Sequence, residues 1–287
     1  MEKLCLSLLL SLLLLIPGCQ ETFPEPKVVF TGIAMTMPYQ VAIRKQLSED
    51  EKQTIEEKIE AIFLETHRVF NKFNPDSELS VLNRWPANQP FHPSISLHAL
   101  LQRTDAFVKL SKGLFDPSLK TGGWNTLRFE ADAIIKTLPL TLDLGGIAKG
   151  TTIDTLLKAM NKLGHPSVLV EWGGDFAFST KSKEEAPWRI ALYGQDEILD
   201  VWEGGLATSG DYQQFWKEEE KTFFHLYNPL ERRFLEQKSG HVTSVSVLAP
   251  TAEEADAYAT ILLLLETEVA GKDLLPSTIK AWWTTRL

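Results

Sequence analysis

Cysteine is nearly absent from this chain of 287 residues, and its two cysteines, Cys5 and Cys19, both lie near the N-terminus. The body of the chain therefore has no internal disulfide, no cysteine ligand for a zinc ion and no catalytic thiol. The six histidines include no pair in the H-x-x-x-H spacing, which argues against a zinc hydrolase.

Positive charge is also scarce, because 29 lysines and arginines face 38 aspartates and glutamates, for a net charge of -9. This balance argues against nucleic acid as the main partner, since phosphate backbones require clustered positive charge. An anionic ligand would have to be held by a local device, such as a metal ion or a nest of backbone N–H groups.

The apolar run from Leu4 to Ile16 is too short to cross a bilayer and has the length of a signal-peptide core. It leads into Pro17-Gly18-Cys19, which resembles a bacterial lipobox with an unusual proline. We therefore predict a lipoprotein signal over residues 1–18, a tether over 19–27 that begins at a lipidated Cys19, and one domain over 28–287. An ordinary cleaved signal with an incidental cysteine is the alternative.

Strands and helices alternate along the rest of the chain without a regular βαβ rhythm, which predicts a single mixed α/β (α+β) domain. Ser48 with Glu51 and Thr251 with Glu254 have the spacing of capping boxes at helix starts. We further predict helices over 94–112 and from Gly146 to Gly164. The predicted strands are 28–33, 39–44, 140–144, 167–171, 187–193, 222–227 and 242–248.

The segment Asp143-Leu144-Gly145-Gly146-Ile147-Ala148-Lys149-Gly150 combines a carboxylate, a glycine pair and a helix start that carries a lysine. Glycines let the backbone approach a phosphate, and helix N-termini favour anions. The segment is neither a P-loop nor a G-x-G-x-x-G motif. By itself it is also compatible with a plain corner between a strand and a helix.

Asp256 and Thr260 lie four residues apart, so both oxygens project from one face of the predicted last helix. A carboxylate with a hydroxyl suits a hard cation such as magnesium, although an amphipathic helix with an exposed aspartate has the same pattern. Ser209 followed by His225 suggests hydrolase chemistry only weakly, because Ser209 lacks the G-x-S-x-G elbow.

Taken together, these segments resemble the ApbE family, the FAD:protein FMN transferases. The resemblance spans about residues 30 to 265, and nine pieces occur in the family's order. They are Ala34–Tyr39, Phe73–Asn83, Leu114–Ser118, Asp143–Gly150, Glu171–Asp175, Pro187–Ile190, Ala207–Tyr212, His225, and Ala249–Thr260.

The resemblance implies a role for particular residues. Met35 and Phe73 would flank the flavin, and His225 would be the catalytic base. Magnesium would be held by Asp256, Thr260 and a backbone carbonyl in the glycine turn, that of Gly146. The other residues expected to meet FAD are Leu114, Phe115, Asp116, Asp143, Lys149, Tyr227 and Ala259.

The implied reaction moves FMN from FAD to a threonine or serine of an acceptor, with release of AMP. The expected acceptors are flavoprotein subunits of a membrane respiratory complex, and the expected location is a bacterial membrane lipoprotein that faces the periplasm. Two alternatives remain, a magnesium-dependent FAD pyrophosphatase and a non-catalytic FAD-binding lipoprotein.

The chain departs from the family pattern at several positions. Phe73 replaces a tyrosine or tryptophan, Thr36 replaces a glycine, and the stretch between Trp124 and Asp143 is short. After His225, Asn228 replaces an acid and Glu231-Arg232 replace a Thr-Gly pair. These changes affect the catalytic segment more than the residues expected to bind FAD.

Overall fold

The computed structural model describes residues 25–119, 121, 123–192, 195–211, 215–238 and 240–285. The predicted signal, the predicted lipid attachment at Cys19 and Tyr212 lie outside the described residues, as do the side chains of Phe215 and His225. Within those ranges, no helix has the length and the apolar character needed to cross a membrane.

Helices and strands alternate irregularly over the described residues. The helices are α1 (Glu49–Val69), α2 (Glu78–Arg84), α3 (Ile95–Leu110), α4 (Ala148–Lys162), α5 (Ala252–Leu264) and α6 (Glu268–Lys272). The first eight strands are β1 (Val28–Ala34), β2 (Met37–Ile43), β3 (Pro90–Phe91), β4 (Leu127–Phe129), β5 (Ile134–Lys136), β6 (Val168–Trp172), β7 (Asp175–Ser179) and β8 (Trp188–Ala191). The others are β9 (Ile198–Val201), β10 (Gly204–Gly210), β11 (Phe215–Glu218), β12 (Lys221–Asn228), β13 (Arg233–Glu236), β14 (Val242–Ala249) and β15 (Lys280–Thr285).

The main sheet has seven strands in the order β1-β2-β6-β7-β10-β14-β15, and its paired neighbours are antiparallel. Successive side chains of a strand point to opposite faces. Val41 and Ile43 accordingly pack with α1 and α4, whereas Ala42 packs with Trp188 on the other face. This arrangement confirms the mixed α/β (α+β) fold predicted from the sequence.

Helices α4 and α5 meet at their N-terminal ends with no room for a side chain between them. A Cβ on Gly150 would lie 2.2 Å from the carbonyl oxygen of Ala252. The two carboxylates of the crossing cap one another's helices. The Gly150 N–H donates to Asp256 Oδ2 at 3.0 Å, and the N–H groups of Ala252 and Glu253 donate to Asp154 at 3.0 Å each. The contact fixes the relative position of the two helices.

The predicted helix starts are confirmed at Ser48, where both halves of the capping box form, and at Thr251, whose side chain accepts from the Glu254 N–H. The predicted strand over 140–144 is wrong. Among the described residues no strand pairs with this segment. The Asn83 side-chain amide instead accepts from the Leu142 N–H and donates to the Leu142 C=O. Helix α2 was not predicted, because the sequence after α1 indicates only a break in the helix.

The turn between β1 and β2 consists of Met35 and Thr36, with φ angles of 47° and 70°. Two positive φ values produce the tight hairpin turn that favours glycine and asparagine. A β-branched side chain is poorly accommodated in this region. Thr36, where the family pattern has glycine, is therefore strained in the native state.

We expect Thr36→Gly to raise the free energy of unfolding, measured by urea denaturation, by roughly 0.5–1 kcal/mol. Glycine adopts the positive φ without steric cost. Thr31→Gly is the matched control, because Thr31 is exposed and pairs with Gln40 in the same hairpin. That variant should lose stability. Equal losses at both positions would contradict strain at Thr36.

Candidate active site

A cavity of about 390 Å³ lies beside the α4–α5 crossing and collects most of the predicted site residues. All residues predicted to meet FAD or magnesium line it, except Ala259. Ala259 is fully buried in the apolar cluster behind the cavity, with Ala207 and Val247, so its side chain is not available to a ligand in the cavity. The side chain of His225 lies outside the described residues, and its role stays a prediction.

One polar corner of the cavity is formed by α5 and the glycine turn before α4. Asp256 and Thr260 share one face of α5, and the Ser209 hydroxyl lies 3.4 Å from that of Thr260. A Cβ on Gly146 would approach Thr260 Oγ1 to 2.8 Å, so only glycine leaves space in front of that hydroxyl. The corner is a small cradle lined by carboxylate and hydroxyl oxygens.

Asp256 is buried, with a relative exposure of 4%, which excludes the exposed aspartate considered from the sequence. Burial, reinforced by the nearby charge of Asp175, raises the pKa of Asp256 to about 7. Burial likewise raises the pKa of Asp175, which the Lys149 ammonium opposes from 2.9 Å. The charge of Lys149 thus acts on both buried carboxylates, while its ammonium contacts Asp175.

These observations fit a magnesium ion. The cradle supplies the hard oxygen donors that magnesium prefers, and a bound cation would offset the excess negative charge of the buried carboxylates. Asp256, Thr260 and the glycine turn at Gly146 are the residues that would hold it. Over the described residues there is no cluster of three or more histidine, cysteine or acidic side chains that could hold a metal ion. Magnesium usually keeps several positions for water and substrate phosphate.

The outer part of the cavity contains an exposed aromatic side chain, Phe73, and a second lysine, Lys72. Phe73 is 80% exposed, and the Lys72 ammonium lies 4.9 Å from the centre of its ring. Lys72 also forms an ion pair with Asp143, whose other oxygen accepts from the Gly145 N–H at 2.9 Å. Phe73 therefore presents an exposed aromatic face at the mouth of the cavity.

The remaining predicted residues form the walls. Leu114 and Phe115 are buried and provide an apolar surface. Asp116 faces the cavity while its carboxylate accepts from the N–H groups of Ser118 and Trp124, at 2.8 and 3.2 Å. These two hydrogen bonds stabilise the loop that follows Asp116. The contact of Asp116 with a ligand stays a prediction.

The sequence did not predict Lys72, Ser209 or Asp175 as FAD or metal contacts. Lys72 and Ser209 line the cavity, and Asp175 pairs with Lys149 in its wall. Asp175 belongs to one of the motifs that carry the family resemblance, but its partner Lys149 is remote in sequence. Ser209 was considered only as a hydrolase nucleophile. For Lys72, no pattern in the sequence indicates a role, because its partner Asp143 lies 71 positions away.

The fold matches solved flavin transferases. The apo structure of flavinyl transferase ApbE from Pseudomonas stutzeri superposes with a TM-score of 0.79 at 23% identity, with 93% of each chain covered. Flavin transferase ApbE from Vibrio cholerae gives a TM-score of 0.78 at 23% identity, covering 91% of this chain and 94% of that one. The architecture is therefore that of the flavin transferase class.

Two curated relatives named FAD:protein FMN transferase are closer in sequence. The protein of Chlamydia pneumoniae is 32% identical over 270 residues, which cover 84% of this chain and 86% of the relative. That of Chlamydia trachomatis is 30% identical over an alignment of 292 positions, which covers 91% of this chain and 92% of the relative. The ApbE family model matches residues 35–122 and 118–282. The chain belongs to the ApbE family and is a transferase.

The raised pKa of Asp256 predicts how the stability of the metal-free protein depends on pH. Because the folded pKa of about 7 lies above the ordinary 3.8, the native state holds this proton more tightly than the unfolded chain. Stability should therefore fall as the pH rises from about 4 to about 7. Asp256→Asn should flatten this fall and raise the melting temperature at pH 8 without magnesium, while it abolishes any stabilisation by magnesium.

The amide oxygen introduced by Asp256→Asn can still accept the Gly150 N–H, so the helix crossing is preserved. Thermal melts at pH 5 and 8, with and without MgCl₂, provide the measurement. Asp50→Asn, at an exposed position of α1, is the control and should leave the magnesium response unchanged. A magnesium-induced shift that persists in Asp256→Asn would remove Asp256 from the metal site.

Proposed function

We propose that this chain transfers FMN from FAD to a threonine or serine of a partner protein, with magnesium bound and AMP released. One observation carries the proposal: a single cavity joins an exposed aromatic face and apolar walls to an acidic, oxygen-lined corner. The first part suits an isoalloxazine ring, and the second suits a cation that binds a diphosphate. The names of the Chlamydia relatives support the same reaction.

In this mechanism the residues of the chain position the reactants. Phe73 and Met35 flank the flavin, while Leu114 and Phe115 exclude water from its edge. Asp256, Thr260 and the turn at Gly146 would hold the magnesium. When bound, the ion offsets the charge of the diphosphate and polarises the phosphorus that is attacked.

The covalent step is a phosphoryl transfer. The hydroxyl oxygen of the acceptor forms a bond with the FMN phosphorus, the bond to the bridging oxygen breaks, and AMP leaves with that oxygen. His225 accepts the proton of the attacking hydroxyl as general base. Lys149, at the wall of the cavity, contributes a positive charge near the phosphates.

The acceptors that we propose are flavoprotein subunits of a membrane respiratory complex. Lipidation at Cys19 would place the enzyme on the periplasmic side of a bacterial membrane, next to such complexes. Two other activities have the same binding requirements. An FAD pyrophosphatase would use water in place of the acceptor hydroxyl, and a binding protein would hold FAD without cleaving it.

Incubation of the pure protein with FAD and MgCl₂ distinguishes these activities. We expect AMP to form only when an acceptor subunit is added, in amounts equal to the flavin bound covalently to that subunit. AMP release without acceptor would identify a pyrophosphatase. FAD binding without AMP in either case would identify a storage or delivery protein, and a failure to quench flavin fluorescence would overturn all three.

The segment after His225 generates a second prediction. Asn228 is buried, and its Oδ1 accepts from the N–H groups of Leu230 and Glu231 at 3.1 Å each. It therefore builds the turn at Pro229, and it does not line the cavity. We expect Asn228→Asp to leave the rate of transfer nearly unchanged, because aspartate accepts the same two bonds.

His225→Ala should instead lower the rate by about 10²- to 10⁴-fold with FAD binding intact, as expected for the loss of a general base. AMP release in the presence of acceptor measures both variants. Undiminished transfer in His225→Ala would exclude the histidine as the base. A faster Asn228→Asp enzyme would mean that this side chain influences catalysis.

A further inference from the structure

Lys149 lies near two buried carboxylates, and its ion pair is with Asp175. Its ammonium is 2.9 Å from Asp175 Oδ2 and 3.5 Å from the carbonyl oxygen of Gly173. Its charge also acts on Asp256, the carboxylate at the magnesium cradle. Because a lysine bound directly to Asp256 would occupy the place of a cation, the choice of partner has consequences for metal binding.

The geometry of the β6–β7 hairpin explains why Asp175 is the partner. Gly173 and Gly174, with φ angles of 58° and 88°, form a two-residue turn that places Asp175 opposite Trp172. The second oxygen of Asp175 accepts from the Thr208 N–H at 3.2 Å. The hairpin thus presents a carboxylate and the Gly173 carbonyl to the lysine, and both are fixed by backbone structure.

Asp175 does not line the cavity and is almost completely buried, with 1% exposure. A direct contact with FAD or with the acceptor is therefore not its role. A buried carboxylate is costly unless it is paired, and its retention behind the site calls for a reason beyond the packing of the sheet.

We propose that Asp175 is a positioning residue that withdraws Lys149 from Asp256 and thereby leaves Asp256 free to bind the cation. Asp175 acts through the lysine and is not itself a ligand. When a neutral residue replaces Asp175, Lys149 pairs with Asp256 instead. Asp256 is then occupied by an internal ion pair and no longer binds the cation. This inference rests on the magnesium site of the proposed function.

A double-mutant cycle separates this role from a simple effect of charge. Asp175→Asn should weaken cation binding by about 10- to 100-fold, the range typical of groups that orient metal ligands. Lys149→Met in that background should restore most of the lost affinity, because the competing ammonium is gone. In the native background, Lys149→Met should change the affinity far less, since the lysine is already held by Asp175.

Cation binding is measured without flavin, with Mn²⁺ followed by electron paramagnetic resonance and displaced by MgCl₂. Circular dichroism and thermal melts establish that each variant is folded. If Asp175→Asn does not fold, Asp175→Ser takes its place in the cycle, because a serine hydroxyl can still accept from the Thr208 N–H.

Strong coupling between the two substitutions supports the proposal. Equal losses of affinity on Asp175→Asn with and without Lys149 would reduce Asp175 to a distant negative charge, and an unchanged affinity would remove it from the site; either result overturns the proposal. If the cycle is coupled but no FMN transfer occurs with any acceptor, the proposed function fails while the positioning role stands. A wild-type protein that binds neither cation without flavin contradicts the positioning role, and one that binds neither in the presence of FAD also contradicts the proposed function.

Discussion

The contact between the N-terminal ends of α4 and α5 is the constraint on which the site depends. There is no room for a side chain at position 150, because Gly150 packs directly against Ala252. Asp154 of α4 caps α5, and Asp256 of α5 caps α4. Hydrogen bonds from backbone N–H groups to carboxylates are strong, and they satisfy donors that a helix start leaves unpaired. Because Asp256 belongs to this contact, the residue that would hold magnesium is placed by the same bonds that hold the helices together.

This construction places a carboxylate in a buried position where it is poorly solvated. Burial and Asp175 raise the pKa of Asp256, and Lys149 offsets only part of the charge. A buried and poorly solvated carboxylate of this kind costs stability, as is common at functional sites. The strained Thr36 at the hairpin turn next to Met35 is a second place where local stability is lowered at the cavity.

The order of motifs along the chain was sufficient to predict the family and the mixed fold, and most of the predicted site residues line the cavity. The motifs predicted these residues because turns such as Asp143–Gly150, and the face of α5 with Asp256 and Thr260, are local patterns. The incorrect strand over 140–144 shows the limit of such patterns. The N–H and C=O of Leu142 in this segment bond to the side chain of Asn83, 59 positions away in the sequence, and no periodicity indicates that contact.

The sequence by itself determined the helix starts at Ser48 and Thr251, the scarcity of positive charge and the position of the Asp256 and Thr260 oxygens on one helical face. Each of these follows from residues within a few positions of one another or from composition alone. Only the tertiary structure decided that Asp256 is buried, that Lys149 pairs with Asp175, and that Asn228 forms a turn behind the cavity. Burial and ion pairing depend on which segments meet in space, and that arrangement is fixed by the packing of α4, α5 and the sheet.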